Sequence, residues 1–184
     1  MRIIAGEARG RRLAALGKGD TAAHLRPTSD RVRESLFSVL TSLDVLQGAY
    51  VLDLFAGTGA LGLEALSRGA ASACFIENGR IALGLLDRNI QTVGIADRCR
   101  VIRSDVRRIG VAPFAPATLV FMDPPYGRAL GEAALTCAVA GGWLAPRALI
   151  VWEENTTITP PTGFVQRDIR RYGDTQILLL DWAG

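Results

Sequence analysis

The chain has 184 residues, 49% apolar and 21% charged, a balance that fits one globular domain with a buried core and excludes a disordered chain. No apolar run approaches the roughly 18–20 uncharged residues of a membrane span, and Met1-Arg2-Ile3-Ile4 gives way to Gly6, Glu7 and arginines, so no secretory leader is expected. The net charge of +3 is unevenly placed: residues 1–35 hold eight basic groups against four acidic ones, so the excess sits where a polyanion would be met.

Residues 1–49 read as an N-terminal basic extension. Arg2-Ile3-Ile4-Ala5 and Arg11-Arg12-Leu13-Ala14 flank a turn from Gly6 to Gly10 and predict a small hairpin. Arg26-Pro27-Thr28-Ser29-Asp30 predicts a helix entry with Thr28 or Ser29 as N-cap. Val32, Leu36, Val39, Leu40 and Leu43 then form an apolar stripe able to dock on the remaining chain. His24, the single histidine, reads as a loop residue.

From residue 50, apolar runs alternate with segments of helical period, the pattern of a parallel sheet covered on both faces. Strands are expected at Tyr50 to Leu54, Ala73 to Ile76, Arg100 to Arg103, the apolar run from Ala117 to Met122, and Ala148 to Trp152. Helices are expected from Ala60 to Arg68, from Gly79 to Val93 with Ile81, Leu85, Ile90 and Val93 near one face, and from Ala129 to Ala140. Phe164 to Arg171 and Thr175 to Asp181 predict a closing antiparallel hairpin. A dinucleotide dehydrogenase would carry six parallel strands. The expected fold is therefore α/β, the Rossmann-like class I architecture of S-adenosylmethionine-dependent methyltransferases: a mostly parallel seven-stranded sheet over residues 50–184 with a C-terminal antiparallel hairpin. Cys74, Cys99 and Cys137 are odd in number and show no paired spacing. They read as reduced thiols of a cytoplasmic protein, with neither disulfide nor metal site expected. Trp143, Trp152 and Trp182 read as packing residues.

The segment Asp53-Leu54-Phe55-Ala56-Gly57-Thr58-Gly59 joins the first strand to the first helix. Gly57 and Gly59 permit a tight turn and close approach of a ligand to the backbone, with helix N–H groups behind them able to meet a carboxylate or phosphate. Glu77 ends the second strand 20 residues after Gly57, placed to accept from two ribose hydroxyls, with Asn78 beside it; Asp105, after the third strand, is placed to accept from an adenine amine. Gly57, Gly59 and Gly62 followed by an acid also match the NAD fingerprint. Asp53 separates the two readings, since a carboxylate there favours an α-ammonium and sulfonium and disfavours a pyrophosphate. The candidate cofactor contacts are Asp53, Phe55, Ala56, Gly57, Thr58, Gly59, Glu77, Asn78 and Asp105.

The fourth apolar strand stops at Asp123-Pro124-Pro125-Tyr126. A carboxylate, prolines without N–H groups, outward carbonyls and an aromatic plane together suit a planar ring bearing an amine. Tyr126 would stack on the ring while Asp123 and the Pro124 carbonyl accept from the NH2; Pro125 completes the turn. Hydride transfer has no use for this turn. A covalent thiolate route to cytosine C5 is disfavoured, because Tyr126 stands after the prolines and none of the three cysteines does.

On Met1-Arg2-Ile3-Ile4-Ala5-Gly6, Arg26 to Glu34, Asp53 to Gly62 and Asp123 to Tyr126, the chain resembles the bacterial 16S rRNA (guanine-N2)-methyltransferase family, the RsmD type, nearly end to end. The resemblance implies S-adenosyl-L-methionine as methyl donor, S-adenosyl-L-homocysteine as product, and one guanine of 16S rRNA in the small ribosomal subunit as substrate. A monomer without metal or membrane association is expected. Arg2, Arg9, Arg11, Arg12, Arg26, Arg31 and Arg33 are the candidate RNA contacts, acting on phosphates without reading sequence. Arg26, Arg31 and Arg33 also flank the helix entry, where ordering the loop over the cofactor is a second role for them. Because the turn recognises an amine more than a particular base, adenine or cytosine amines in DNA or RNA stay open as substrates. So does an inactive nucleic-acid-binding module.

Overall fold

In the computed structural model, which describes residues 1–15, 29–125, 130–173 and 175–184, alternating apolar runs assemble into one seven-stranded sheet. Its strands are β1 (Tyr50–Leu54), β2 (Ser72–Glu77), β3 (Cys99–Arg103), β4 (Ala117–Met122), β5 (Leu144–Glu154), β6 (Phe164–Tyr172) and β7 (Thr175–Trp182). They lie in the order β3-β2-β1-β4-β5-β7-β6. The first five run parallel, and β7 pairs antiparallel with both β5 and β6. The direction of winding reverses between β1 and β4, so a crevice opens at the C-terminal ends of β2, β1 and β4.

Side chains alternate across each strand and so build two cores. Val51, Phe75, Leu119, Phe121, Val151 and Leu179 face α1 (Asp30–Ser42), α2 (Ala60–Ser67) and α3 (Arg80–Val93). Leu52, Leu54, Ile76, Val120, Met122, Ile150 and Trp152 face α4 (Leu130–Ala140). No described helix is long and apolar enough to cross a membrane.

Three local expectations need adjustment. α1 is capped by Ser29, whose Oγ accepts from Val32 N at 3.3 Å; Thr28 and His24 lie outside the described residues. Its buried face is Arg33, Leu36, Phe37 and Leu40, with Val32 and Val39 at the margin. On α3 the buried row is Ala82, Leu86, Asn89, Ile90 and Val93, while Ile81 is exposed; the true face is rotated by one residue from the expected one. β5 begins at Leu144, earlier than Ala148, because the pairing with β4 shifts between Ala117 and Leu119 and takes up Ala145, Pro146 and Arg147 as a bulge. Pro146 has no N–H for a ladder and Arg147 takes φ +64°, which hides the strand from a pattern search.

Residues 1–15 fold back as the expected hairpin, with Arg2 and Arg12 bridged antiparallel and Gly6 and Gly10 both at φ +84°. They are fastened by buried polar groups on α2 and α3. Glu64, with no exposed surface, accepts from Ile4 N (2.7 Å), Ala5 N (3.0 Å) and Arg68 Nε (2.7 Å). The Ser67 hydroxyl donates to Ala5 O and accepts from Ala8 N. Asn89 accepts from Ala14 N and donates to Ala14 O and Thr58 O. Arg68, 5.0 Å over the Phe37 ring, ties α2 to α1.

Glu64→Ala strands two buried backbone N–H groups and the Arg68 guanidinium. It is expected to lower unfolding free energy by about 3–5 kcal/mol, measured by urea titration. Hydrogen exchange at Ile4 and Ala5 should accelerate more than exchange in β4.

Candidate functional site

The β1–α2 loop is a tight, strained turn. Phe55, a bulky residue, takes φ +62°, and Gly57 and Gly59 take φ +56° and +76°. Ala56 N donates to Ile76 O and Gly59 N donates to Ala56 O, which fixes the loop against β2. Thr58 O accepts from the buried Asn89 amide, and Thr58 Oγ1 lies 4.0 Å from Met1 Sδ. Gly62 plays a packing part: a Cβ there would lie 2.4 Å from the Phe75 ring.

Carboxylates at the strand ends accept from the backbone of the turns and helix starts around them. Asp53, buried in β1, accepts from Gly62 N at 3.0 Å and so holds α2 to the strand. Glu77 accepts from Gly57 N (2.8 Å), Asn78 N (2.8 Å) and Gly79 N (2.7 Å). A carboxylate offers about four acceptor positions, so one stays open on Glu77. Asn78 itself is exposed. Asp105 caps a single 3-10 turn, Val106–Arg108, accepting from Arg107 N (2.9 Å) and from the Arg107 guanidinium at 2.9 and 2.5 Å. Those Arg107 hydrogen bonds hold its pKa down at about 2.

Asp123 and Pro124 follow β4 directly, with Asp123 partly exposed and Pro124 buried. Burial, then the carboxylates of Glu153, Asp53 and Glu154, push the Asp123 pKa well above the ordinary carboxylate range. Asp53 is pushed up to about 8 by burial and Glu77, against the opposing Gly62 hydrogen bond. Proton affinity is therefore concentrated at the C-terminal ends of β1, β4 and β5. Tyr126 lies outside the described residues.

Among the candidate RNA contacts, Arg2, Arg9, Arg11, Arg12 and Arg31 are exposed, and Arg11 Nη1 also donates to Thr92 O at 2.7 Å. Arg26 lies outside the described residues. The expectation for Arg33 as a phosphate contact is corrected: its side chain has no exposed surface, because it turns inward on the apolar face of α1. Glu153 and Glu154 escape a motif search, since an acid pair ending an apolar run reads as the end of a strand. Asn89 and Glu64 escape for another reason: polar residues on helices are assigned to the solvent face.

The family described as Conserved hypothetical protein 95 matches residues 1–181. Ribosomal RNA small subunit methyltransferase D of Escherichia coli (strain K12) is 43% identical over 162 residues, covering 88% of this chain and 78% of that protein. The solved structure of the yhhF protein from Escherichia coli has a TM-score of 0.83 at 38% identity, over 100% of this chain and 98% of that one. An RNA methyltransferase from Salinibacter ruber, solved in complex with S-adenosyl-L-homocysteine, shares the fold with a TM-score of 0.65 at 18% identity, over 85% and 94% of the two chains.

Asp53 gives stability a pH slope of known sign. Unfolded, it ionises near 3.8; folded, near 8. Between those values the folded state keeps a proton that the unfolded state has lost, so this group makes stability fall as pH rises. Asp53→Asn retains an acceptor for Gly62 N and removes the titration. Urea midpoints at pH 5, 6.5 and 8 should show a shallower decline for the variant; parallel declines would reject the assignment.

Proposed function

This chain belongs to the Conserved hypothetical protein 95 family, and we propose that it moves the methyl group of S-adenosylmethionine onto the exocyclic N2 amine of one guanine of 16S rRNA in the small ribosomal subunit. It is a methyltransferase of the class I fold. The observation that carries the substrate reading is the meeting of the two half-sites on one rim. The Gly57–Gly59 loop and Glu77 end β1 and β2, and Asp123-Pro124 ends β4, the neighbour of β1 on its other side. Asp53 and the remaining acceptor position on Glu77 suit a cationic ligand with ribose hydroxyls. A dinucleotide pyrophosphate would find the N–H groups of Gly57, Gly59 and Gly62 already taken there.

S-adenosylmethionine, when bound, supplies a methyl already activated on a sulfonium. The chain supplies alignment and handling of a proton. Asp123 and the Pro124 carbonyl accept from the guanine NH2 and turn its lone pair out of conjugation with the ring. Holding nitrogen at attack distance contributes roughly 7–11 kcal/mol of barrier lowering in well-oriented systems. Tyr126 stacks on the turned-out base, on the order of 1–3 kcal/mol. Positive charge developing on the attacking nitrogen would lie beside Asp123, whose raised proton affinity suits it to accept the released proton. The exposed arginines of the hairpin hold phosphates. The reading carries a cytoplasmic location and a monomer docking on a large particle.

Labelled donor offered with naked 16S RNA, assembled small subunits and DNA, followed by nucleoside analysis, tests the reading. N2-methylguanosine from subunits is expected; methylated adenine or cytosine, or no transfer to any of the three, would replace it. Asp123→Ala should reduce kcat by about 100-fold or more while S-adenosylhomocysteine affinity stays near wild type. Replacing Arg9, Arg11 and Arg12 together by alanine should reduce the slope of log affinity against log salt by about 2, at roughly 0.7 per single-strand phosphate contact.

A further inference from the structure

Arg33 combines a permanent charge with full burial and incomplete hydrogen bonding. Its Nη2 donates to Arg2 O at 2.6 Å and to Asp30 Oδ1 at 2.7 Å. Its Nε and Nη1 have no partner among the described residues, although the side chain has no exposed surface. Buried donors of that kind are costly and point to an acceptor that arrives later.

The surroundings say which acceptor. One helical turn after Arg33, Phe37 packs on Phe121 with ring centroids 5.7 Å apart, and β4 hands over to Asp123 two residues later. On the other side, Arg2, which accepts from the guanidinium, follows Met1, whose Sδ lies 4.0 Å from Thr58 Oγ1. The guanidinium thus sits on the backbone of Arg2, next to the residue that touches Thr58 of the glycine loop, and one helical turn from the ring that packs on β4. A carboxylate entering this rim finds the N–H groups of Gly57, Gly59 and Gly62 already given to Glu77, Ala56 and Asp53. Glu77, already the acceptor in three hydrogen bonds at the rim, offers it no donor either, so it needs one from elsewhere. Asp30, whose side chain is 44% exposed, shows that a carboxylate fits this guanidinium at Nη2, which leaves Nε and Nη1 for a second one.

We propose that Arg33 is the receptor for the α-carboxylate of the methyl donor, taking it on the Nε and Nη1 hydrogens that lack acceptors. The proposal rests on the reading of the rim as an S-adenosylmethionine site. RNA phosphates, the other oxyanion available to this protein, are left to the exposed arginines of the hairpin.

Calorimetric titration of the full chain with three probes tests it: S-adenosylhomocysteine, its methyl ester, and 5′-methylthioadenosine, which keeps nucleoside and sulfur but lacks the amino-acid end. Wild type should bind S-adenosylhomocysteine roughly 10- to 100-fold more tightly than the ester, the range for hydrogen bonds to a charged group. Arg33→Met should remove that preference and leave 5′-methylthioadenosine binding as in wild type, and Arg33→Lys should restore part of it. Equal binding of acid and ester by wild type overturns the proposal without needing any variant to fold. An equal loss for S-adenosylhomocysteine and 5′-methylthioadenosine in Arg33→Met assigns Arg33 to structure alone. Intact S-adenosylhomocysteine binding with a flattened RNA salt slope assigns it to phosphate. Failure of wild type to bind any of the three probes rejects the donor reading of the rim, and this proposal with it.

Discussion

The Glu64 carboxylate, sealed inside α2, accepts from the backbone of Ile4 and Ala5 and from Arg68, and the placement of the N-terminal hairpin follows from it. A buried charge is tolerated only where its acceptor positions are filled. Here the partners come from two directions, so one side chain joins the hairpin to the helix behind the glycine loop. Ser67 and Asn89 repeat the arrangement with neutral groups, and Asn89 touches the loop itself through Thr58 O. The hairpin that carries exposed arginines and the loop that faces the crevice are therefore parts of one hydrogen-bonded assembly, and their spacing is fixed without a ligand.

At the rim, acids stand at the ends of β1, β2 and β4, and the buried cation Arg33 lies on α1. Glu77 accepts from Gly57 N of the loop and from Asn78 N and Gly79 N just after β2, while Asp53 and Asp123 keep a raised affinity for protons. A cation entering that space is favoured and in turn favours ionisation of the acids it meets. A carboxylate finds no cation among these acids, and the role proposed for the inward-turned Arg33 guanidinium is to supply one. Sulfonium, ammonium and carboxylate on one small molecule match this alternation of sign.

Much of this was legible in the sequence, because the relevant signals are local. Strand ends at Leu54, Glu77 and Met122 coincide with changes from apolar to acidic or turn residues, and glycines mark the positive φ angles at 57 and 59. What escaped depends on partners far away along the chain. Arg33 reads as a phosphate contact or as a residue ordering the loop, and Asn89 draws no notice, because a single chain does not reveal that a polar side chain on a helix meets a backbone group from another element. Ile81 was misassigned for a related reason: α3 offers apolar residues on two adjoining faces, and only the position of β2 and β3 decides which one is covered. The early start of β5 was hidden by Pro146 and by Arg147, whose φ is one that side-chain-bearing residues seldom adopt.

The hairpin's anchors also set an order of events during synthesis. Ile4 finds its acceptor 60 residues later, Ala14 finds Asn89 75 residues later, and Arg11 finds Thr92 81 residues later. A chain emerging from its N-terminal end therefore exposes the arginine-rich arm first and has nothing to fasten it to until α2 and α3 have followed. Through that interval the arm has only its own backbone hydrogen bonds and the Arg2–Arg12 bridge, and it is locked in place only when the helices close behind it.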